Sequence, residues 1–253
     1  MDHIEIDFPV EPFHSVPRLL LRSLALFGSN FHFIAGVTLL VFLPATLALQ
    51  LAYSMLNVAT EGILSYFLMS AGDLVFAALA VPAIIYGLTC KLRSGKFPPL
   101  AESLRWGRRQ WARTLWFTFK MEISILLATL LLIIPGIIRA IDLIFTETVI
   151  AIEGDRTRDV WAHSRSLAHG KRWRIFWVML PLSILGEVGG MLVLRAVSGA
   201  ASSHLLLAIA DSLLAVVGQL STVAALLLYL GVIEPKPLPA VPPKRIARDR
   251  RAR

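Results

Sequence analysis

The 253-residue chain is 56% hydrophobic, carries 25 Lys and Arg against 17 Asp and Glu for a formal net charge of +8, and has a single cysteine, Cys90. The apolar surplus is larger than a soluble domain shows and falls in long blocks, which marks a membrane protein rather than a large aqueous core. One cysteine excludes an intrachain disulfide and any cysteine-built metal site, and basic clusters beside apolar spans point to anionic headgroups rather than nucleic acid as the partner.

Residues 1–14 contain Asp2, Glu5, Asp7, Glu11, Pro9 and Pro12 and read as a loose acidic tail. No Lys or Arg precedes Arg18, the reverse of the basic start of a cleavable signal peptide, so none is expected. Ser15 is placed to cap a helix running to Phe27, with Pro17 tolerated in its first turn and Gly28 ending it. Val16, Leu20, Leu24 and Phe27 share one face and Arg18 and Arg22 another, the pattern of a helix lying on a membrane surface.

Phe31–Tyr53 is the first expected crossing and Ile63–Cys90 the second, the latter interrupted by Ser70-Ala71-Gly72-Asp73. Either one tilted helix runs through, or Asp73 caps a helix from Leu74. Lys91–Arg113 holds seven Lys or Arg and one acid, Glu102. Its second half is amphipathic: Leu100, Leu104, Trp111 and Leu115 on one side, Arg105, Arg109 and Arg113 on the other. Trp106, Trp111 and Trp116 suit the headgroup level. Trp116–Ile134 then supplies the third crossing and Ile137–Ile152 the fourth, turned back at Pro135-Gly136. Proline and glycine fit adjacent positions of a tight turn; the alternative is a proline kink in one long helix.

A basic helix over Arg156–His169, closed by Gly170, leads through Lys171, Arg172, Trp173 and Arg174 into a fifth crossing at Ile175–Val197; His204–Val232 is the sixth. The remaining tail, 234–253, has five prolines and seven Lys or Arg in twenty residues and cannot pack a core, so disorder is expected. Only Arg139 and Arg195 among the cations fall near the surface opposite both termini. The positive-inside rule therefore places both termini in the cytoplasm of a bacterial inner membrane, and an even number of crossings agrees. The expected architecture is all-α: a membrane domain over 15–233, six transmembrane helices as three hairpins with basic interfacial helices.

Ser103-Leu104-Arg105-Trp106-Gly107-Arg108-Arg109 and Ser166-Leu167-Ala168-His169-Gly170-Lys171-Arg172 form a weak repeat, with a looser copy at Ser23–Phe31. Together with LLLIIPGII, VIAIEGD and RSLAHGKRWRIF, the chain over Arg22–Val232 resembles the membrane domain found in some glycerophosphoryl diester phosphodiesterases and in stand-alone bacterial membrane proteins. The resemblance implies a membrane fold and a lipid-related setting. In fused members the hydrolase is a separate soluble barrel, for which this chain has no room, so no catalytic residue is carried over.

Charges inside the crossings are the remaining candidates for chemistry, because a charge at mid-membrane costs at least about 2.5 kcal/mol and is usually buried or functional. Six acids qualify: Asp73, Glu122, Asp142, Glu147, Glu187 and Asp211. Asp73, Asp142, Glu187 and Asp211 fall in the outer half with Arg139 and Arg195, giving one expected polar cluster. In it Asp142 pairs with Arg139, Asp211 with Arg195, and Asp73 and Glu187 remain for a protonated or ion-binding role. Structural ion pairs holding the helices together are the plainer account of the same residues. No metal-ligand spacing, Ser-His-acid arrangement, P-loop or GxGxxG is present, and no cofactor or catalysis is expected. The lipid-facing set is Arg105, Arg109, Arg113, Trp106, Trp111, Trp116, Lys171, Arg172 and Trp173. The expected role is non-enzymatic, organising anionic lipids or partner membrane proteins. A small transporter or lipid translocator using the buried acids, or an accessory subunit of a lipid enzyme, are the alternatives.

Overall fold

The computed structural model describes residues 16–55, 63–200 and 204–232. Within them every element is helical: α1 (Val16–Ser29), α2 (Phe31–Met55), α3 (Ile63–Ser94), α4 (Leu100–Leu131), α5 (Ile133–Leu143), α6 (Thr146–Glu153), α7 (Val160–Ala168), α8 (Arg172–Ala200) and α9 (His204–Val232), with a 3-10 turn at Gly154–Arg156. Five of these are long and apolar enough to cross a membrane, through 31–52, 70–94, 100–131, 172–192 and 205–231. A helix satisfies every backbone polar group within its own segment, which is what an apolar solvent demands. The expectations for residues 1–14, the loops around Asn57 and Ser202, and the 234–253 tail lie outside the described residues.

Three expectations are corrected. First, the surface helix expected at 100–115 and the crossing expected from Trp116 are one unbroken helix, α4. It runs antiparallel along α3: Tyr86 Oη donates to Glu102 and Trp111 Nε1 donates to the Val75 carbonyl. Gly107, the only glycine between Leu100 and Leu131, permits this approach. A Cβ there would strike the Leu79 carbonyl and sit 3.1 Å from Ala83 Cβ.

Second, the reversal is at Leu132, whose extended backbone (φ −161, ψ 142) separates α4 from α5. Pro135 and Gly136 lie in the first turn of α5. A proline costs no hydrogen bond there, because the first four N–H groups have no partner inside the helix. Gly136 lets α5 fold back on α4: an added Cβ would collide with the Thr129 side chain and lie 2.9 Å from its Cα.

Third, the stretch expected as the fourth crossing is two short helices, α5 and α6, broken at Ile144-Phe145. The break frees backbone groups, and Ser164 of α7 takes up two of them. Its Oγ donates to the Asp142 carbonyl at 2.9 Å and accepts from Phe145 N at 3.2 Å. At Asp73, by contrast, α3 runs straight through, which settles the choice between a cap and a continuous helix.

α6 is the centre of the packing. Val149 and Ile150 join Leu19, Phe145, Ile175, Leu228 and Tyr229 in one buried cluster, while Ala151 joins Phe33, Ile34, Ile84, Leu88 and Leu226 in another. An eight-residue helix is marginal alone and is held by this packing. On the opposite flank, Thr46 of α2 lies 3.1 Å from Ser212 Oγ of α9, a buried polar tie between two otherwise apolar helices. The tip of the α4–α5 hairpin is uncovered: Leu130, Leu131, Ile133 and Ile134 are each at least 70% exposed, the surface of a segment that meets lipid or another apolar partner.

Candidate functional site

The densest polar junction forms where α4, α6, α7 and α9 meet, around Glu153 at the end of α6. Its Oε1 accepts from Tyr229 Oη at 2.8 Å and lies 3.0 Å from His163 Nε2; its Oε2 accepts from Thr157 Oγ1. Gly154, at φ +56, takes the left-handed region that glycine enters without a Cβ penalty and turns the chain out of α6. Arg113 of α4 closes the junction, donating to the carbonyls of Gly154 and Thr157 and pairing with Asp155 Oδ1 at 3.0 Å. Trp106 Nε1 donates to the Ala151 carbonyl at 3.0 Å while its ring stacks on Tyr86. One turn of chain after α6 is thus tied to two helices remote in sequence.

A second junction forms at Asp142, buried at 6% exposure. Arg172 meets it with two prongs, Nε to Oδ1 at 2.6 Å and a terminal nitrogen to Oδ2 at 2.9 Å. Such forked, charge-assisted pairs are the stronger kind. A third lies at the α1–α2 corner, where Lys91 donates to Asn30 Oδ1 and sits 4.4 Å from the Phe97 ring centre, which in turn stacks on Phe33.

The expected outer cluster does not assemble as one site. Asp73 of α3 and Asp211 of α9 lie within electrostatic reach of one another. Asp142 does not join them and does not pair with Arg139. Gly190 of α8 faces Leu214, one turn from Asp211, and that level lies eighteen residues, or ~27 Å, along α8 from Arg172 and its partner Asp142. Arg139 instead donates from Nε to Ser124 Oγ at 2.8 Å and lies over the Trp161 ring. The reason is the break after α5. It leaves Asp142 beside α7 and the start of α8, where the helical count assumed one continuous crossing. Arg195 is exposed on α8, and the Glu187 side chain lies outside the described residues.

The lipid-facing set divides. Arg105, Arg109 and Lys171 are exposed, as are Trp111, Trp116 and Trp173. Lys120 lies 4.3 Å over the Trp116 ring, and Trp173 stacks on Phe176. Arg113, Trp106 and Arg172 are corrected: each turns inward to hold another segment. The junction around Glu153 escaped sequence reasoning. Only the i, i+4 spacing of Glu153 and Thr157 hinted at it, and nothing local ties either to Tyr229.

Comparison with family models, with curated proteins and with solved structures finds no match to this chain.

Proposed function

We propose that the chain is a non-enzymatic, multi-pass protein of a bacterial inner membrane that organises anionic lipids, or partner membrane proteins, at its cytoplasmic face. In this reading α5 and α6 together make the fourth of six crossings, the helices pair as three hairpins, and both termini are cytoplasmic. The kinship to the membrane domain of glycerophosphoryl diester phosphodiesterases belongs to the same proposal and rests on the motifs over Ile133–Phe176.

One observation carries it. Charged groups at the helix junctions join segments: Asp142 with Arg172, Glu153 with His163 and Tyr229, and Arg113 with the exposed Asp155. On α4 the exposed cations Arg105, Arg109 and Lys120 line up with Trp116, at i, i+4, i+15 and i+11, on one helix face, with Arg108 exposed beside them. A row of cations with an aromatic at its edge suits phosphate-bearing headgroups, each cation contributing about 1 kcal/mol near an anionic surface. The full chain, purified in mild detergent with equal anionic and zwitterionic lipid, is expected to retain the anionic lipid. Replacing Arg105, Arg109 and Lys120 by alanine lowers that retention, about fivefold per residue at 1 kcal/mol each. Equal retention of both lipids by the wild type rejects the proposal.

A transporter is the second reading, favoured by two acids, Asp73 and Asp211, placed on two candidate spans within electrostatic reach of one another. The two readings separate on Asp73→Asn with Asp211→Asn: lipid retention is unmoved if the first holds, and cation flux into proteoliposomes is lost if the second does.

A further inference from the structure

The stretch counted above as the fourth crossing stays at one end of the bundle. The candidate span of α8 begins at Arg172, with Lys171, Trp173 and Arg174 exposed at its start, and that of α9 ends at Gly231. Cations and tryptophan at the end of a span mark the headgroup level. Ile175 and Tyr229 share one buried cluster, so the start of α8 and the end of α9 lie at the same face. α6 is held there at both ends. The ring centre of Phe145, just before it, lies 6.2 Å from that of Tyr229, and Glu153, its last residue, accepts from the Tyr229 hydroxyl. Arg172 holds Asp142 at that face too.

The hairpin that hangs from this face is short. From Asp142 back to Leu132 is ten residues. Their reach is at most ~15 Å whatever the tilt of α5, about half of a hydrocarbon core ~30 Å thick. The reversal therefore cannot arrive at the far surface. It is also not built to meet water: residues 130–138 include no polar side chain, and 130–134 are all exposed. Its backbone suits an apolar setting. Leu132 N–H donates to the Ala128 carbonyl at 3.1 Å and the Leu132 carbonyl accepts from Gly136 N at 3.3 Å, so the one residue outside both helices has both groups met. The charges sit at the open end. Arg139 is paired across the hairpin with Ser124, and Glu122 lies two residues nearer the start of α4. Both come within reach of headgroups, as Asp142 does, rather than lying at mid-membrane, where a charge is costly.

We propose that the α4–α5 hairpin is re-entrant: it dips into one leaflet from the face that holds the start of α8 and the end of α9, turns at Leu132 among the acyl chains near the midplane, and leaves by the same face. Of the five candidate spans, α2, α3, α8 and α9 then cross fully and α4 does not. The number of crossings stays even, so the lipid role and the cytoplasmic termini proposed above are unchanged; the six-crossing count is replaced.

The test uses the full chain in liposomes, with Cys90→Ala and one nitroxide-labelled cysteine at a time in place of Ile123, Leu127, Leu132 or Ile134, all of them exposed. Collisions with oxygen, which concentrates at the bilayer centre, and with a water-soluble nickel chelate report the depth of each label. The oxygen-to-nickel ratio is expected to climb from 123 through 127 to its maximum at 132 and 134. A full crossing puts the maximum at 123 to 127 and lets the chelate reach 132. That result overturns the proposal and restores six crossings. A chelate that reaches all four labels leaves the hairpin in water and overturns it as well. Should Leu132→Cys fold poorly, Ile134→Cys reports the same depth. Anionic-lipid retention by the unlabelled chain is a separate measurement and does not move with either result.

Discussion

Glu153 and Tyr229 stand 76 residues apart, and the phenol donates to the carboxylate at 2.8 Å, fixing the end of α6 against the last turn of α9. Because Glu153 also holds His163 and Thr157, the same carboxylate fixes α7. Removing the phenol leaves a partly buried carboxylate short of one donor. Tyr229→Phe is expected to cost about 1.5–3 kcal/mol, the range for hydrogen bonds to charged groups. Glu153→Gln should cost at least as much. A double-mutant cycle by denaturant titration in detergent checks the coupling; additive costs mean that the two side chains do not act together.

The forked pair at Asp142 distinguishes arginine from lysine. Arg172→Ala strands a buried aspartate, and the loss should be roughly 3 kcal/mol, the low end for a broken buried pair because the arginine side chain is 42% exposed. Arg172→Lys keeps the charge without the planar fork and should recover only part of it. Full recovery by lysine would mean that the charge alone matters.

Gly136 and Pro135 are expected to behave oppositely. Gly136→Val drives a side chain into Thr129 and Gly136→Ala does so less, at about 1–3 kcal/mol for forced overpacking. Pro135→Ala, in a first turn that needs no N–H from that residue, is expected to be nearly neutral. Thermal melts of the three variants decide this. A costly Pro135→Ala with a harmless Gly136→Val would restore the turn to the Pro-Gly pair.

Orientation is testable with single cysteines in a Cys90→Ala background. Positions 57 and 202 should react with a membrane-impermeant thiol reagent in intact cells, and a cysteine in the tail beyond residue 233 should react only after lysis. The opposite pattern inverts the proposed topology.

Helix existence was legible because apolar blocks and basic clusters are local: α9 spans His204–Val232, as expected from the residues. What the residues did not reveal was set by contacts between distant helices. Nothing in Leu100–Leu115 distinguishes a helix lying on a surface from one standing against α3; Gly107 decides it only once Leu79 and Ala83 are opposite. The break at Ile144-Phe145 has no proline or glycine to announce it, and the serine that stabilises it lies nineteen residues on from Phe145. Misreading that break moved Asp142 to the wrong end of the bundle, and with it the membership of the expected cluster. Arginine 113 was misassigned for a related reason: an i+4 row of arginines looks uniform until one of them finds an aspartate and two carbonyls.

The pairing of Asp142 with Arg172 bears on how the chain is made. The two are thirty residues apart, and the serine that secures the break lies between them. At ~5–20 residues per second the ribosome needs about 2–6 s to pass from one to the other. When α5 leaves the exit tunnel its aspartate is unmatched, because Arg172, thirty residues behind and already synthesised, is still inside the ribosome. Release of the α4–α5 hairpin from the insertion machinery into lipid is therefore disfavoured until the start of α8 arrives. Nascent chains stalled with α5 outside the ribosome and Arg172 still in the tunnel should stay crosslinked to the translocon, and those stalled with Arg172 well outside should not.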